Sequence, residues 1–238
     1  MSLQVEGSEI ISLNSNAYVI DVLYFMRRNN IRRLVISDSN KIIGVFTVED
    51  ALRYILENRL EAKLSEIKLR KPIIVNSNYI KDIIDSMIKN NSDFVIYRNK
   101  YIITEKDIIK NFNWNLINQN VENISKEAIV VEPFTKISTC IEIMLKSLIR
   151  HLPVVERSPI GIISARDIVY SYDSISINNS VDKIMKVDLV KVNSNTEVRK
   201  VVELMIKRNI GSVIVNSGKS VRILTNRDLI RLAHKYLL

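Results

Sequence analysis

A hydroxyl residue, two variable residues and an aspartate recur four times at near-equal spacing: Thr47 with Asp50, Thr104 with Asp107, Ser164 with Asp167, and Thr225 with Asp228. Each copy ends an apolar stretch and opens an amphipathic one, the junction of a strand with a helix. The first turn of a helix offers unpaired N–H groups and a partial positive charge to a phosphate, and a neighbouring hydroxyl adds a donor. An ionised carboxylate accepts from both hydroxyls of a ribose. Thr or Ser then holds phosphate, Asp reads the sugar, and nearby apolar strand residues sandwich a base. Any single copy has a plainer reading as a helix capping box, although that box usually carries Glu or Gln where all four copies here carry Asp.

The elements that must position these residues repeat with them. The strings Gly44-Val45-Phe46-Thr47-Val48-Glu49-Asp50, Tyr101-Ile102-Ile103-Thr104-Glu105-Lys106-Asp107, Gly161-Ile162-Ile163-Ser164-Ala165-Arg166-Asp167 and Arg222-Ile223-Leu224-Thr225-Asn226-Arg227-Asp228 align, their aspartates 57, 60 and 61 residues apart. Such a period has to be found before any motif is weighed, because it decides the fold. Upstream of each string the spacing predicts a helix with one buried face: Val19, Val22, Leu23 and Met26; Ile80, Ile83, Ile84 and Met87; Ile137, Cys140, Ile141 and Met144; Val198, Val201, Val202 and Met205. Four of the six methionines share one repeat position, where filling a core is their ordinary use.

Between helix and motif lie two strand-like segments, at 33–36 and 41–46, 94–97 and 100–103, 152–155 and 160–163, and 212–215 and 221–224, each pair separated by turn residues. A second amphipathic helix comes after the motif, with Ala51, Leu52, Ile55 and Leu56 in the first copy and Leu229, Ile230 and Leu232 in the fourth. With a short strand in front, as at 73–75 or 129–131, each unit reads β-α-β-β-α, an α/β (α+β) class. Some 60 residues are marginal alone, so the units should pair. The asparagine-rich stretch 111–115 interrupts the pattern and suggests a boundary. The expected division is therefore 1–118, holding repeats at about 8–60 and 64–113, and 119–238, holding repeats at about 122–175 and 181–236.

Composition narrows the function. Hydrophobic residues are 47% of the 238 and charged residues 26%, the balance of a folded chain rather than a disordered one. Residues 1–10 lack the basic flank and apolar run of a signal peptide, and no stretch approaches the roughly 20 apolar residues of a membrane span, so a cytoplasmic protein without membrane contact is expected. Cys140 is the single cysteine and His151 and His234 the two histidines, which leaves no disulfide and no zinc-ligand spacing. The five glycines fit neither the dinucleotide fingerprint nor the phosphate loop. A net charge of +9 suits a phosphate-bearing ligand; scattered over the chain with few aromatics, it is a poor match to a nucleic-acid surface. Neither histidine lies in a nucleophile or metal arrangement, so no enzyme, catalytic cofactor or metal is expected.

The order β-α-β-β-α ending in Gly-h-h-[Ser/Thr]-x-x-Asp, with h apolar, resembles the CBS domain, as do His151-Leu152-Pro153-Val154-Val155 and Asn209-Ile210-Gly211-Ser212-Val213-Ile214-Val215 as its middle strand. The resemblance spans about residues 10–233. It implies tandem pairs, or Bateman modules, with pseudo-twofold symmetry and a nucleotide cleft for each repeat; the four-repeat arrangement resembles the gamma subunit of AMP-activated protein kinase. The activity that this resemblance implies is regulatory, non-catalytic binding of AMP, ADP or ATP, with an S-adenosylmethionine-type ligand as alternative. It implies a homodimer and a protein target of unknown identity as well. A scaffold with partly vacant clefts, or a nucleic-acid-associated regulator, are the other readings. Carried over residue by residue, the phosphate and ribose pair falls on Thr47 and Asp50, Thr104 and Asp107, Ser164 and Asp167, and Thr225 and Asp228. Two departures stand out. Glycine precedes the apolar pair at Gly44 and Gly161 only, with Tyr101 and Arg222 at that place in repeats two and four. Asp93-Phe94 is expected where the third repeat has His151-Leu152, setting an acid near the phosphates, whereas Arg32 with Arg33 and Arg150 with His151 supply possible phosphate contacts in repeats one and three.

Overall fold

The computed structural model describes residues 3–218 and 220–237. Repeat 1 comprises β2 (Ser12–Leu13), α1 (Val19–Arg28), β3 (Arg33–Asp38), β4 (Lys41–Thr47) and α2 (Val48–Leu56), and repeat 2 comprises β5 (Ile74–Val75), α3 (Ile80–Lys89), β6 (Phe94–Tyr97), β7 (Tyr101–Thr104) and α4 (Glu105–Asn111). In repeat 3 the first strand shrinks to a parallel bridge between Val131 and Val154, followed by α5 (Ile137–Ser147), β9 (His151–Val155), β10 (Pro159–Ser164) and α6 (Ala165–Tyr170). Repeat 4 has β11 (Lys191–Asn193), α7 (Val198–Lys207), β12 (Ser212–Asn216), β13 (Val221–Thr225) and α8 (Asn226–Lys235). All sixteen residues expected on the first-helix faces are buried. Each of these helices is followed at the same repeat position by a left-handed residue, Asn30, Asn91, Leu148 or Asn209. Asparagine tolerates that conformation better than most side chains.

A further segment, invisible to periodicity, completes each sheet. Strand β1 (Ser8–Glu9) pairs antiparallel with β7, and β8 (Lys126–Glu127) pairs with β13. Arg70 bridges Val45 of β4, and Lys186 bridges Ile162 of β10. Every such leader is anchored by one fully buried residue, Val5, Leu64, Val121 or Val181. Leaders are exchanged between chain neighbours: the one before repeat 1 edges the sheet of repeat 2, and the one before repeat 2 edges repeat 1, with the same swap between repeats 3 and 4.

The leaders explain the uneven glycines. A Cβ at Gly44 would lie 2.4 Å from Leu69 Cβ, and one at Gly161 would lie 2.5 Å from Met185 Sδ. Where the strand residue is bulky the leader is small: Gly7 faces the strand that carries Tyr101, and a Cβ on Gly7 would sit 2.7 Å from Ile102 O. Ser125 receives Arg222, whose Nε donates to Ser125 Oγ at 3.0 Å. The combined size of the facing pair is limited, not the size of either member. Gly44→Ala is therefore expected to lose about 1–3 kcal/mol, the range for overpacking, and Gly161→Ala distinctly less because the flexible end of Met185 can turn aside; urea unfolding of the two variants measures the difference.

Hydrophobic packing follows another grouping. One compact unit holds residues 11–72 and 129–189, repeats 1 and 3; the other holds residues up to 10, 73–128 and from 190 on, repeats 2 and 4. In the 1/3 unit the faces of α1 and α2 pack on α5 and α6, and in the 2/4 unit α3 and α4 pack on α8. The cores thus do not follow the expected division at residue 118/119. The apolar face of the motif helix needs a second such face, and the alternate repeat provides it, while chain neighbours share sheet edges. Nor is the stretch 111–120 a linker: Phe112, Trp114 and Ile117 are buried in the 2/4 core, and Trp114 Nε1 donates to Ile109 O at 2.8 Å.

Candidate functional site

Each motif sits where a repeat's last strand becomes its second helix. Thr47, Thr104, Ser164 and Thr225 are the N-caps of α2, α4, α6 and α8, and the aspartates fall three residues on. In all four, the backbone N–H and the hydroxyl of the cap both donate to one carboxylate oxygen: Thr47 to Asp50 Oδ2 at 2.9 and 2.7 Å, Thr104 to Asp107 Oδ2 at 2.8 and 2.7 Å, Ser164 to Asp167 Oδ2 at 2.9 and 2.5 Å, and Thr225 to Asp228 Oδ2 at 3.0 and 2.6 Å. The capping role is real, and it commits Oδ2. Oδ1 is the oxygen left for a ligand.

That second oxygen differs among the repeats. Lys186 Nζ lies 2.7 Å from Asp167 Oδ1, and Lys126 Nζ lies 2.5 Å from Asp228 Oδ1, each lysine borne by a leader. Asp50 Oδ1 meets Arg53 of its own helix at 3.2 Å. Asp107 makes no such ion pair among the described residues. The lysines and their leaders escaped sequence reasoning, for they lie 19 residues after Asp167 and 102 before Asp228. A signal existed in the one apolar anchor per leader, but a single residue has no period.

The residue facing each cap across the hairpin is Arg33 opposite Thr47, Phe94 opposite Thr104, His151 opposite Ser164 and Ser212 opposite Thr225. This register corrects the sequence alignment by one: Phe94, not Asp93, corresponds to His151, and Asp93 corresponds to Arg150. The backbone agrees, since the first N–H of each motif helix, from Val48, Glu105, Ala165 and Asn226, is accepted by the carbonyl of Arg32, Asp93, Arg150 and Gly211 respectively. Repeat 2 accordingly has an acid where repeats 1 and 3 have arginine.

In the 1/3 unit these positions build a cationic cluster. Arg32, Arg150, Arg166 and Lys186 all act on His151, which burial first and then these charges push down to about 3, so its imidazole is neutral at pH 7. Arg150 Nε donates to Glu49 Oε1 at 2.5 Å. Arg166, whose guanidinium lies 5.9 Å from the centre of the Tyr170 ring, has a buried Nε that makes no hydrogen bond among the described residues, a donor that an anion would satisfy. Arg33, at the start of β3, is itself buried. Because the His151 pKa is lower folded than unfolded (about 6.5), its contribution is complete above pH 6.5 and is lost as pH falls towards 3. Melting temperature is expected to drop across this window, and His151→Gln to flatten that slope; the comparison removes the carboxylate titrations common to both proteins.

With the fold and these corners in view, comparison with known proteins is direct. The CBS domain family model matches residues 4–57, 121–174 and 181–235, about two thirds of the chain. The chain belongs to the CBS domain family. The matched segments begin at leaders and leave out repeat 2, which departs at Tyr101 and Asp93 yet has the same β-α-β-β-α order. The uncharacterized protein MJ1225 of Methanocaldococcus jannaschii is 21% identical over 268 aligned positions, 95% of this chain and 96% of its own. Its crystal structure, described as that of a proposed archaeal homologue of g-AMPK, superposes with a TM-score of 0.82 over 98% of both chains. An uncharacterized conserved protein from Pyrococcus horikoshii gives a TM-score of 0.65 at 18% identity, covering 98% of this chain and all of that one. At these identities the likeness is one of fold. No helix among the described residues is long and apolar enough to cross a membrane.

Proposed function

We propose that this chain is a non-catalytic sensor of adenosine nucleotides, AMP, ADP or ATP, held at the Ser/Thr-x-x-Asp corners. The observation that carries the reading is the cluster at the repeat 3 corner. Arg32, Arg150, Arg166 and Lys186 converge on His151 beside Ser164 and Asp167, and the buried Arg166 Nε has no hydrogen-bond partner among the described residues. So many cations around one neutral imidazole favour a ligand of multiple negative charge. A phosphate arriving there would draw Lys186 and Arg166 towards itself, freeing Asp167 Oδ1 for the ribose. It would also offset the charges that, after burial, depress His151. Membership of the CBS family agrees with an adenosine ligand, and its bridging of elements would shift the balance between conformations for which its affinity differs.

The test is thermal unfolding of purified protein, freed of carried-over nucleotide, against AMP, ADP, ATP, S-adenosylmethionine, GTP and plain salt. A ligand at 100 times its dissociation constant stabilises by about 2.7 kcal/mol per site. A selective rise with adenosine phosphates supports the reading. A response to S-adenosylmethionine alone, or to none of these, overturns it, the second outcome favouring a scaffold.

A further inference from the structure

One position of the leaders stands beside every motif. It places Arg70 next to Val45, Ser8 next to Ile102, Lys186 next to Ile162 and Lys126 next to Ile223, and each of those strand residues is two before its cap. Repeats 3 and 4 have lysine there. We propose that Lys186 and Lys126 are specificity latches, which make these two corners select adenosine phosphates and reject the phosphate-free nucleoside. The inference rests on the nucleotide reading above and assigns the residues that set the choice.

The two lysines make the same contact. Lys186 Nζ lies 2.7 Å from Asp167 Oδ1, and Lys126 Nζ lies 2.5 Å from Asp228 Oδ1. In both corners Oδ2 is committed to the cap, so the ammonium sits on the one oxygen that a ribose would use. Each pair is lopsided, with the aspartate side chains 10% and 4% exposed and the lysines 63% and 55%. The ammonium can therefore turn to water or to another anion, whereas the carboxylate depends on whatever donor lies over it. The root of the stem is fixed. Lys186 N donates to Ile162 O and Lys186 O accepts from Ile162 N, both at 2.9 Å, and Lys126 is paired with Ile223 in the sheet.

Binding at these corners is then an exchange. Ribose hydroxyls are uncharged and make weaker bonds to a carboxylate than an ammonium does, so exchange alone is a penalty built against the nucleoside. A nucleoside phosphate brings a second anion, to which the displaced ammonium turns. At repeat 3 Lys186 already stands among the cations that would meet that phosphate, since it acts on His151 together with Arg32, Arg150 and Arg166. The other two corners are built differently: Asp50 Oδ1 meets Arg53 of its own helix, and the leader position of repeat 2 is the uncharged Ser8. A lysine kept only to hold a sheet edge would, on removal, lower the melting temperature and leave nucleoside affinity where it was.

Calorimetric titration of the purified chain, freed of nucleotide, with AMP and with adenosine provides the test, on the wild type, Lys186→Met, Lys126→Met and the double variant. Both side chains are more than half exposed, so the variants should fold. Adenosine should bind about threefold to fivefold more tightly at an unlatched corner, the top of the range for an ion pair with an exposed member. AMP should bind up to about tenfold more weakly, because its phosphate loses the ammonium. Weaker AMP binding by itself is what the loss of any nearby positive charge gives; with adenosine affinity unmoved in the double variant, it overturns the latch and leaves the sensor reading standing. A wild type and double variant that bind neither compound overturn the sensor reading and the latch together.

Discussion

Arg227→Met should destabilise the protein by about 1–3 kcal/mol, among the largest single-residue effects expected. Arg227 Nε lies 2.8 Å from Glu105 Oε1, and Glu105 is the more deeply buried partner, with a side chain 5% exposed against 26% for the arginine. Methionine preserves much of the arginine stem but takes the guanidinium away from a carboxylate that has little access to water. Desolvation of that charge, rather than the loss of one hydrogen bond, sets the cost. The reverse change, Glu105→Gln, should cost less, because the partly exposed arginine can turn to water and keep its bond to Asn91. Urea unfolding of the two variants and of the double variant decides the matter. Equal costs for the two single variants would mean that burial of the carboxylate is not what makes the pair matter.

The second large effect is on binding. Asp167→Asn should weaken adenosine-nucleotide binding by about 10–100-fold, the equivalent of losing a charge-assisted bond of roughly 1.5–3 kcal/mol. Part of the aspartate's work is structural, since Oδ2 accepts from Ser164 N and Oγ. Asparagine still offers an acceptor there, so the stability loss should stay at or below the roughly 0.5–2 kcal/mol range for a lost cap. Asp107→Asn is the informative control. It carries the same capping bonds, but Phe94 rather than a base faces its cap, and an acid, Asp93, replaces arginine alongside. It should lose similar stability and leave titrated nucleotide affinity nearly unchanged. Affinity insensitive to Asp167→Asn would reduce Asp167 to a helix cap.

Local pattern made much of this legible before any coordinates. Faces such as Ile80, Ile83, Ile84 and Met87 have a helical period, and the hairpins lie between turn residues, so both could be placed to within a residue or two. The motif corners followed from four aligned strings. The hidden features were non-local ones. Gly44 and Tyr101 occupy one repeat position for opposite reasons, supplied by Leu69 and Gly7 far along the chain. Register at Asp93 slipped by one because apolar character alone aligns Phe94 with Leu152, whereas Phe94 faces its cap as His151 does. The pairing of repeat 1 with 3 and of 2 with 4 leaves no trace in any window, because all four motif helices present the same kind of face.

The alternation of repeats within the cores bears on how the chain is made. When α2 leaves the ribosome, the helix that covers Ala51, Leu52 and Ile55 is still about 110 residues from being synthesised. At about 5–20 residues per second that is a delay on the order of ten seconds, long against the microseconds in which a helix forms. The nascent first half therefore waits with a finished but uncovered apolar surface, and a neighbouring nascent copy on the same message carries the identical surface. Chaperone capture or transient pairing between polysome neighbours is the natural protection for that interval, and a chain stalled near residue 118 should be recovered as a self-associated species rather than as a stable monomer.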